Sequence, residues 1–182
     1  MKRRSVVFWI LGLLGWFSPL HAQGLSADEY KLKAAFLYNF TQYVEWPVTA
    51  FSSPSAPFVV CVAGNNPFGE HLKALESRMY KTHAIAVAFP KTLTEVRSCH
   101  ILYADDLRAT NFGREPWKIL ADLPLLTVSS TNEASEAGFG IGFMIQSGRL
   151  RWALNLAATR QAQLKVSSKL IEIAASVTGD TR

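Results

Sequence analysis

The sequence YKLKAAFLYNFTQYVEWP, residues 30–47, decides how this chain is interpreted. Its large side chains recur at helical spacing, which predicts an amphipathic helix with an aromatic and apolar face. Pro47 is expected to end or bend that helix, because proline has no backbone N–H to donate within a helix. The simplest role of this face is to pack against the core of a globular domain. Its predicted members are Leu32, Phe36, Asn39, Phe40, Tyr43 and Trp46.

The N-terminus has the pattern of a signal peptide. Basic side chains at positions 2–4 precede an apolar run over residues 6–17, and a cleavage site follows Ala22. The run is shorter than the roughly 20 apolar residues that cross a bilayer, although a retained signal anchor stays open as an alternative. We therefore expect residues 1–22 to direct export and residues 23–182 to form one α/β domain.

The charge of the mature chain argues against a nucleic-acid partner. Removing residues 1–22 takes away three basic side chains and lowers the formal net charge from +5 to +2. No stripe of lysine and arginine interleaved with aromatic residues remains, and such a stripe is the usual footprint of nucleic-acid binding. The apparent basicity therefore belongs largely to the targeting segment.

No pattern of catalytic, cofactor-binding or metal-binding residues is visible. The glycines at 138, 140 and 142 precede a strand-like segment, whereas a dinucleotide-binding fingerprint requires a helix there. None of the three histidines His71, His83 and His100 has an evident serine or aspartate as a catalytic partner. Cys99 and His100 are adjacent on a predicted strand and so point to opposite faces. We expect no enzyme activity, no cofactor and no metal site.

The two cysteines, Cys61 and Cys99, lie on separate predicted strands. An even number of cysteines in an oxidising compartment makes this pair a disulfide candidate. The bond would close a loop of about 40 residues and stabilise the domain by roughly 3 to 4 kcal/mol in the chain-entropy treatment. Two buried, reduced thiols remain the alternative, because the sequence does not show that the residues meet.

Strand-like and helix-like segments alternate along most of the chain, which favours parallel strands with helical crossovers. Ser147 and Gly148 join the last two strands with turn chemistry, so that pair is predicted to be antiparallel. The predicted fold is α/β, with a single-domain mixed sheet of about six strands flanked by helices and an antiparallel C-terminal hairpin. The predicted strands are residues 58–62, 85–89, 100–103, 125–128, 139–146 and 149–154, and the later helices include 66–77, 91–96, 116–121, 155–163 and 168–177.

Two polar sets are candidates for binding sites. The default ligand crevice of an open α/β sheet lies at the carboxyl ends of its strands, where residues can also serve simply as turn formers or helix caps. A second set near the C-terminus contains Arg151 and Lys169, which would form an anion-binding or partner-binding patch or an ordinary solvated face. The crevice candidates are Asn65, Asn66, Asp105, Ser129 and Ser130.

Five segments, taken in order, resemble the YfiR/HmsC family. They are residues 30–47, 59–69 (VVCVAGNNPFG), 99–103 (CHILY), 126–129 (LTVS) and 164–170 (LKVSSKL), which together span nearly all of the mature chain. The resemblance implies a periplasmic α/β sandwich that binds the periplasmic sensor domain of an inner-membrane diguanylate cyclase similar to YfiN. Binding would hold the cyclase inactive and lower cyclic di-GMP, and release would favour biofilm.

The resemblance also implies a redox-responsive cysteine pair, which Cys61 and Cys99 match. A second pair found in some members is absent, since residues 139–144 contain no cysteine. Exposed members of the set Phe40, Tyr43 and Trp46, with Arg151 and Lys169, are the partner-binding candidates, and a homodimer stays open. The alternative function is a periplasmic small-ligand-binding module of another signalling or transport system, which would use the strand-end crevice.

Overall fold

The computed structural model describes residues 23–179 except 106–109, 111, 113–115, 132–133 and 135–136. The predicted signal peptide, residues 1–22, lies outside the described residues. Within the part of the chain that the structure describes, no helix has both the length and the apolar character needed to cross a membrane.

Short strands and helices follow one another along the described chain. Among the described helices, α2, α4 and α5 each follow an N-cap residue whose side chain accepts a hydrogen bond from a backbone N–H of the first turn. These N-caps are Thr92, Asn155 and Ser167. The elements are α1 (Gln23–Thr41), β1 (Val44–Glu45), the 3-10 helix η1 (Val48–Ala50), β2 (Phe58–Val62), the 3-10 helix η2 (Gly69–Leu75), β3 (Met79–Tyr80), β4 (His83–Ala88), α2 (Leu93–Val96), β5 (Ile101–Tyr103), α3 (Pro116–Leu120), β6 (Leu126–Ser129), β7 (Ile141–Gln146), β8 (Arg149–Asn155), α4 (Leu156–Gln161), β9 (Lys165–Val166), α5 (Ser168–Ile173) and β10 (Ser176–Thr178).

Within the described residues, the main sheet has eight strands in the order β10-β8-β7-β6-β5-β2-β4-β3. Strands β4, β2, β5, β6 and β7 are parallel, and the β7–β8 hairpin is antiparallel. The α/β class, the mixed sheet and the C-terminal hairpin are therefore confirmed. The sheet contains two strands, β3 and β10, in addition to the six predicted ones. They were not predicted, because a strand of two or three residues shows no readable alternation of apolar and polar side chains.

Strand β10 occupies part of the segment predicted as the last helix. Helix α5 ends at Ile173, and Ala174 is already extended. The backbone N–H of Ala175 then donates to the Trp152 carbonyl on β8, at 2.8 Å. Pairing with β8 therefore ends the helix earlier than its sequence predicts.

The central strands are buried on both faces. Alternate residues such as Phe58, Val60 and Ile101 face α1 and belong to the larger apolar cluster. Cys61 and Leu102, which point the other way, belong to a second cluster with Val96, Phe112 and Leu120 among others. A sheet covered on both sides explains why these strands are continuous apolar runs rather than alternating ones.

The first helix ends at Thr41, so the prediction that it continues to Pro47 is wrong. The Thr41 hydroxyl donates to the Tyr38 carbonyl at 2.7 Å, and the N–H of Tyr43 donates to Phe40, which closes the last turn. The chain then becomes β1, whose Val44 pairs antiparallel with Val166. A pairing partner more than 100 residues away therefore competes with the local helical pattern and prevails.

The buried face of α1 also differs from the predicted one. Leu37 and Phe40 are fully buried, whereas Leu32 is 46% exposed and Asn39 is exposed. The Phe40 ring packs against Phe143 and Trp152 of the hairpin, with centroid separations of 5.8 and 5.7 Å. Contact with the β7–β8 hairpin therefore sets the rotation of the helix.

Replacing Phe40 by alanine should lower the free energy of unfolding by roughly 3 to 5 kcal/mol, because a fully buried ring leaves a cavity. Leu32→Ala on the same helix is the matched control and should cost less than about 1 kcal/mol. Urea unfolding of both variants measures the difference. Equal losses would contradict the rotation of α1 described above.

Candidate functional site

The strand-end crevice lies where the chain reverses its direction across the sheet. Strands β4 and β5 pair with opposite edges of β2, so β2 and β5 flank a topological switch point. Their carboxyl ends lead into the loops that carry Asn65, Asn66 and Asp105. In open α/β sheets such a switch point is the usual position of a ligand crevice.

Three of the predicted crevice residues are joined by hydrogen bonds. The Asp105 carboxylate accepts from the Ser130 backbone N–H at 3.2 Å and from the Tyr103 hydroxyl at 2.6 Å. Oxygen Oγ of Ser130 lies 2.8 Å from the same Tyr103 hydroxyl, and the Ser129 hydroxyl donates to the Asp105 carbonyl at 3.5 Å. Asp105, Ser129 and Ser130 thus form one cluster with Tyr103.

Tyr103 and Tyr30 complete this cluster and were not among the predicted site residues. Burial, with the hydrogen bond to Asp105, raises the pKa of Tyr103. Burial, with the Asp105 charge, also raises the pKa of Tyr30. Both phenols therefore stay protonated at neutral pH. Tyr103 lies two residues before Asp105. Side chains at this spacing on a strand point to the same face, and this is the signal that would have identified Tyr103 as a neighbour of Asp105.

An ion pair between the buried Lys33 and the partly exposed Glu29 lies beside the cluster, in the middle of α1. Lys33 is almost fully buried, and its Nζ lies 2.6 Å from Glu29 and 4.4 Å from the centre of the Tyr30 ring. A burial of this degree requires a partner for the ammonium group, and Glu29 supplies it. The amphipathic pattern of the helix gave no sign of this pair.

Asn65 and Asn66 are exposed in the loop that follows β2. Oxygen Oδ1 of Asn66 accepts from the Phe68 backbone N–H at 2.9 Å, which is a local turn hydrogen bond. The predicted helix over 66–77 is the 3-10 helix η2, which begins at Gly69, so Asn66 is not its N-cap. The carboxyl ends of β2 and β5 therefore lead to two solvent-facing amides and to a hydrogen-bonded polar cluster, respectively.

The aromatic partner-binding candidates separate into buried and accessible residues. Phe40 is fully buried and Trp46 is nearly so, whereas Tyr43 is half-buried. The Trp46 indole N–H donates to the His100 carbonyl at 3.0 Å, and its ring packs edge-on against Phe58. Phe40 and Trp46 are thus structural, and only Tyr43 of the three presents part of its ring to solvent.

The predicted pair Arg151 and Lys169 does not converge on one helix end. The Arg151 guanidinium donates to the Ile173 carbonyl at the C-terminal end of α5, at 3.3 Å. Lys169 lies in the first turn of the same helix, where its N–H donates to the N-cap Ser167. Arg151 therefore offsets the negative end of the α5 dipole, and no anion site is assembled between these two cations.

Cys61 and Cys99 form a disulfide, so the alternative of two reduced thiols is not what the structure shows. Their Cα atoms are 5.8 Å apart, within the range that a disulfide bridges. Cys61 lies on β2, and Cys99 immediately precedes the adjacent strand β5 at its N-terminal end. The bond therefore joins the carboxyl-terminal half of β2 to the segment that leads into β5.

Unfolded, non-reduced protein should take up no thiol label, and reduced protein should take up two. Replacing both cysteines by alanine should lower the free energy of unfolding by roughly 3 to 4 kcal/mol, because the unfolded chain is no longer cross-linked. Mass spectrometry after alkylation counts the labels. Two labels without reduction would contradict the bond.

The His100 ring packs on the face of the sheet that is opposite the disulfide. Its ring is buried between Phe51 and Phe58, at centroid separations of 4.5 and 4.7 Å. Nδ1 accepts from the Val59 backbone N–H at 3.0 Å, which assigns the proton of the neutral ring to Nε2. Burial, assisted by nearby His83, lowers the pKa of His100 to about 4. No group of three or more potential metal ligands occurs among the described residues.

Because the pKa of His100 falls from 6.5 on folding, its neutral form stabilises the protein fully above pH 6.5 and less as the pH drops towards 4. We expect this residue to remove roughly 3 kcal/mol of unfolding free energy between pH 7 and pH 4. His100→Phe should lose that part of the pH dependence, whereas His71→Asn should retain it. Urea unfolding at several pH values in this range gives the unfolding free energy of each variant. If His100→Phe and His71→Asn lost the same amount of unfolding free energy between pH 7 and pH 4, the assignment would be contradicted.

Comparison with known protein families gives a match over most of the chain. The sequence model of the YfiR/HmsC-like family matches residues 30–175, which is most of the chain and includes every strand from β1 to β9. No curated protein matches the chain significantly. The family match covers both the cysteine pair and the Asp105 cluster. The chain therefore belongs to the YfiR/HmsC-like family.

Proposed function

We propose that the mature chain is a periplasmic regulator of an inner-membrane diguanylate cyclase. It binds the periplasmic sensor domain of the cyclase, similar to that of YfiN, and holds the enzyme inactive, which lowers cyclic di-GMP. It acts by binding and not by catalysis. The observation that carries this proposal is the family match over residues 30–175.

The disulfide and the N-terminal segment support an extracytoplasmic location. Disulfides persist in the bacterial periplasm, whereas cytosolic thiols are kept reduced. Residues 1–22 have the basic start, apolar run and small-residue cleavage site of an export signal. A periplasmic domain has no access to cyclic di-GMP in the cytoplasm, so it regulates through the sensor domain of a membrane protein.

Inhibition requires that the chain bind the inactive cyclase more tightly than the active one. A preference of about 100-fold corresponds to roughly 2.7 kcal/mol. A small interface with one or two apolar anchors supplies that much. Of the predicted contact residues, Tyr43, Arg151 and Lys169 keep accessible surface, while Phe40 and Trp46 contribute only by shaping the domain.

The second candidate function is a small-ligand-binding module that uses the strand-end crevice. The Asp105 cluster at the topological switch point favours it, since two hydrogen bonds hold the carboxylate in one orientation. In thermal-shift measurements against small metabolites, a large stabilisation by one compound, without any effect on cyclic di-GMP in cells, would favour this function over cyclase repression.

Deleting the gene in its source organism should raise intracellular cyclic di-GMP, and restoring it should reverse the rise. The expected reason is that the cyclase loses its periplasmic repressor. Cyclic di-GMP is measured by mass spectrometry in the parent, deletion and restored strains, with the cyclase confirmed to be present. An unchanged concentration in the deletion strain would contradict cyclase repression.

A further inference from the structure

A pocket of about 430 Å³ opens between the η1 segment and the turn that joins β3 to β4. We call it the Phe51 pocket. It lies at the N-terminal end of the central strands, because the Trp46 indole in its wall donates to the His100 carbonyl just before β5. The pocket is therefore remote from the Asp105 cluster. The residues on which the argument depends are Trp46, Val48, Phe51, Tyr80, Lys81 and His83.

The wall of this pocket is aromatic and held in place by contacts within the domain. The Phe51 ring stacks on His83 at 3.9 Å and lies parallel to Tyr80 at 6.0 Å. His83 is fixed in turn by a 2.7 Å hydrogen bond between Nδ1 and the Ala56 carbonyl. The Tyr80 hydroxyl accepts from the Trp46 backbone N–H. A preformed aromatic wall lowers the entropic cost of binding.

The rim of the pocket carries an apolar side chain with no role in the core. Val48 is 88% exposed, more than any other large apolar residue in the described chain. It belongs to η1, in which no residue is buried. An exposed apolar side chain at the edge of an aromatic pocket is the arrangement found where a protein surface accepts an apolar anchor.

The pocket carries the ammonium group of Lys81, the one lysine or arginine among the described residues that line it. Its ammonium group lies 5.5 Å from the centre of the Tyr80 ring. Lys81 has a φ of 50°, a left-handed conformation that glycine or asparagine adopts with less strain. The turn thus carries an exposed ammonium group at the mouth of the pocket, where a carboxylate of a partner would pair with it.

We propose that the Phe51 pocket is the docking site for the cyclase sensor domain, which inserts an apolar side chain flanked by a carboxylate. This inference rests on the proposed function. The apolar side chain packs on Phe51 and Val48, and the carboxylate pairs with Lys81. Such an interface combines a desolvated anchor with a charge pair at its edge, which sets both affinity and orientation.

Two substitutions test the pocket without disturbing the core. Lys81→Asn keeps a residue that tolerates the left-handed turn and removes the charge, so its unfolding free energy should equal or exceed that of the parent. Val48→Asp places a carboxylate on the exposed rim. We expect binding to the purified sensor domain to weaken about tenfold for Lys81→Asn and more for Val48→Asp. In cells, both should raise cyclic di-GMP towards the level of the deletion strain.

The matched controls lie elsewhere on the surface. Lys91→Asn removes an exposed lysine beyond the far end of β4 and should leave binding unchanged. A photo-crosslinking residue at Val48 should form an adduct with the cyclase sensor domain. The same group at Phe89, which is 49% exposed just beyond the carboxyl end of β4, should not.

The outcomes separate the pocket from the proposed function. If deletion raises cyclic di-GMP but Lys81→Asn and Val48→Asp still repress fully, cyclase repression stands and the Phe51 pocket is not the docking site. A Val48 adduct with a second copy of the chain, or with no protein, would also overturn the pocket proposal. If deletion leaves cyclic di-GMP unchanged, the proposed function itself fails.

Discussion

The burial of β2 and β5 on both faces is the constraint on which the rest of this structure depends. Phe58, Val60 and Ile101 require cover on one side of the sheet, and α1 with its neighbours supplies it. Cys61 and Leu102 require cover on the other side, which comes from the second apolar cluster. Strands with two apolar faces need cover on both sides of the sheet, and the layered α/β architecture supplies it.

This constraint also leaves the polar chemistry to the two ends of the central strands. At the carboxyl ends, Tyr103, Asp105 and Ser130 satisfy one another through hydrogen bonds. Where the chain enters β5, the disulfide lies on one face of the sheet and the His100 ring on the other. The fold thus separates a closed polar cluster from a rigid aromatic region, and the two proposed functions use different ends of one sheet.

Some residues of the candidate sites were predicted from the sequence and others were not, for physical reasons. Asp105, Ser129 and Ser130 follow recognisable strands, so the rule for parallel sheets placed them together correctly. Tyr103 was missed because a tyrosine within an apolar run is usually a core residue, and here its hydroxyl reaches beyond the core. The pocket around Phe51 was not predicted, because its lining combines residues 46–54 with residues 80–83, which only the fold brings together.

The sequence by itself determined the features that depend on neighbouring residues. These include the buried strands and the Ser147-Gly148 hairpin, since each rests on hydrogen bonds or side-chain alternation within a few residues. Only the tertiary structure decided where α1 ends, which of its faces is buried and how the strands are ordered. Those outcomes depend on contacts such as Val44 with Val166 and Phe40 with Trp152. Partners more than 100 residues apart leave no local pattern, because their interaction free energy exists only once the sheet has assembled.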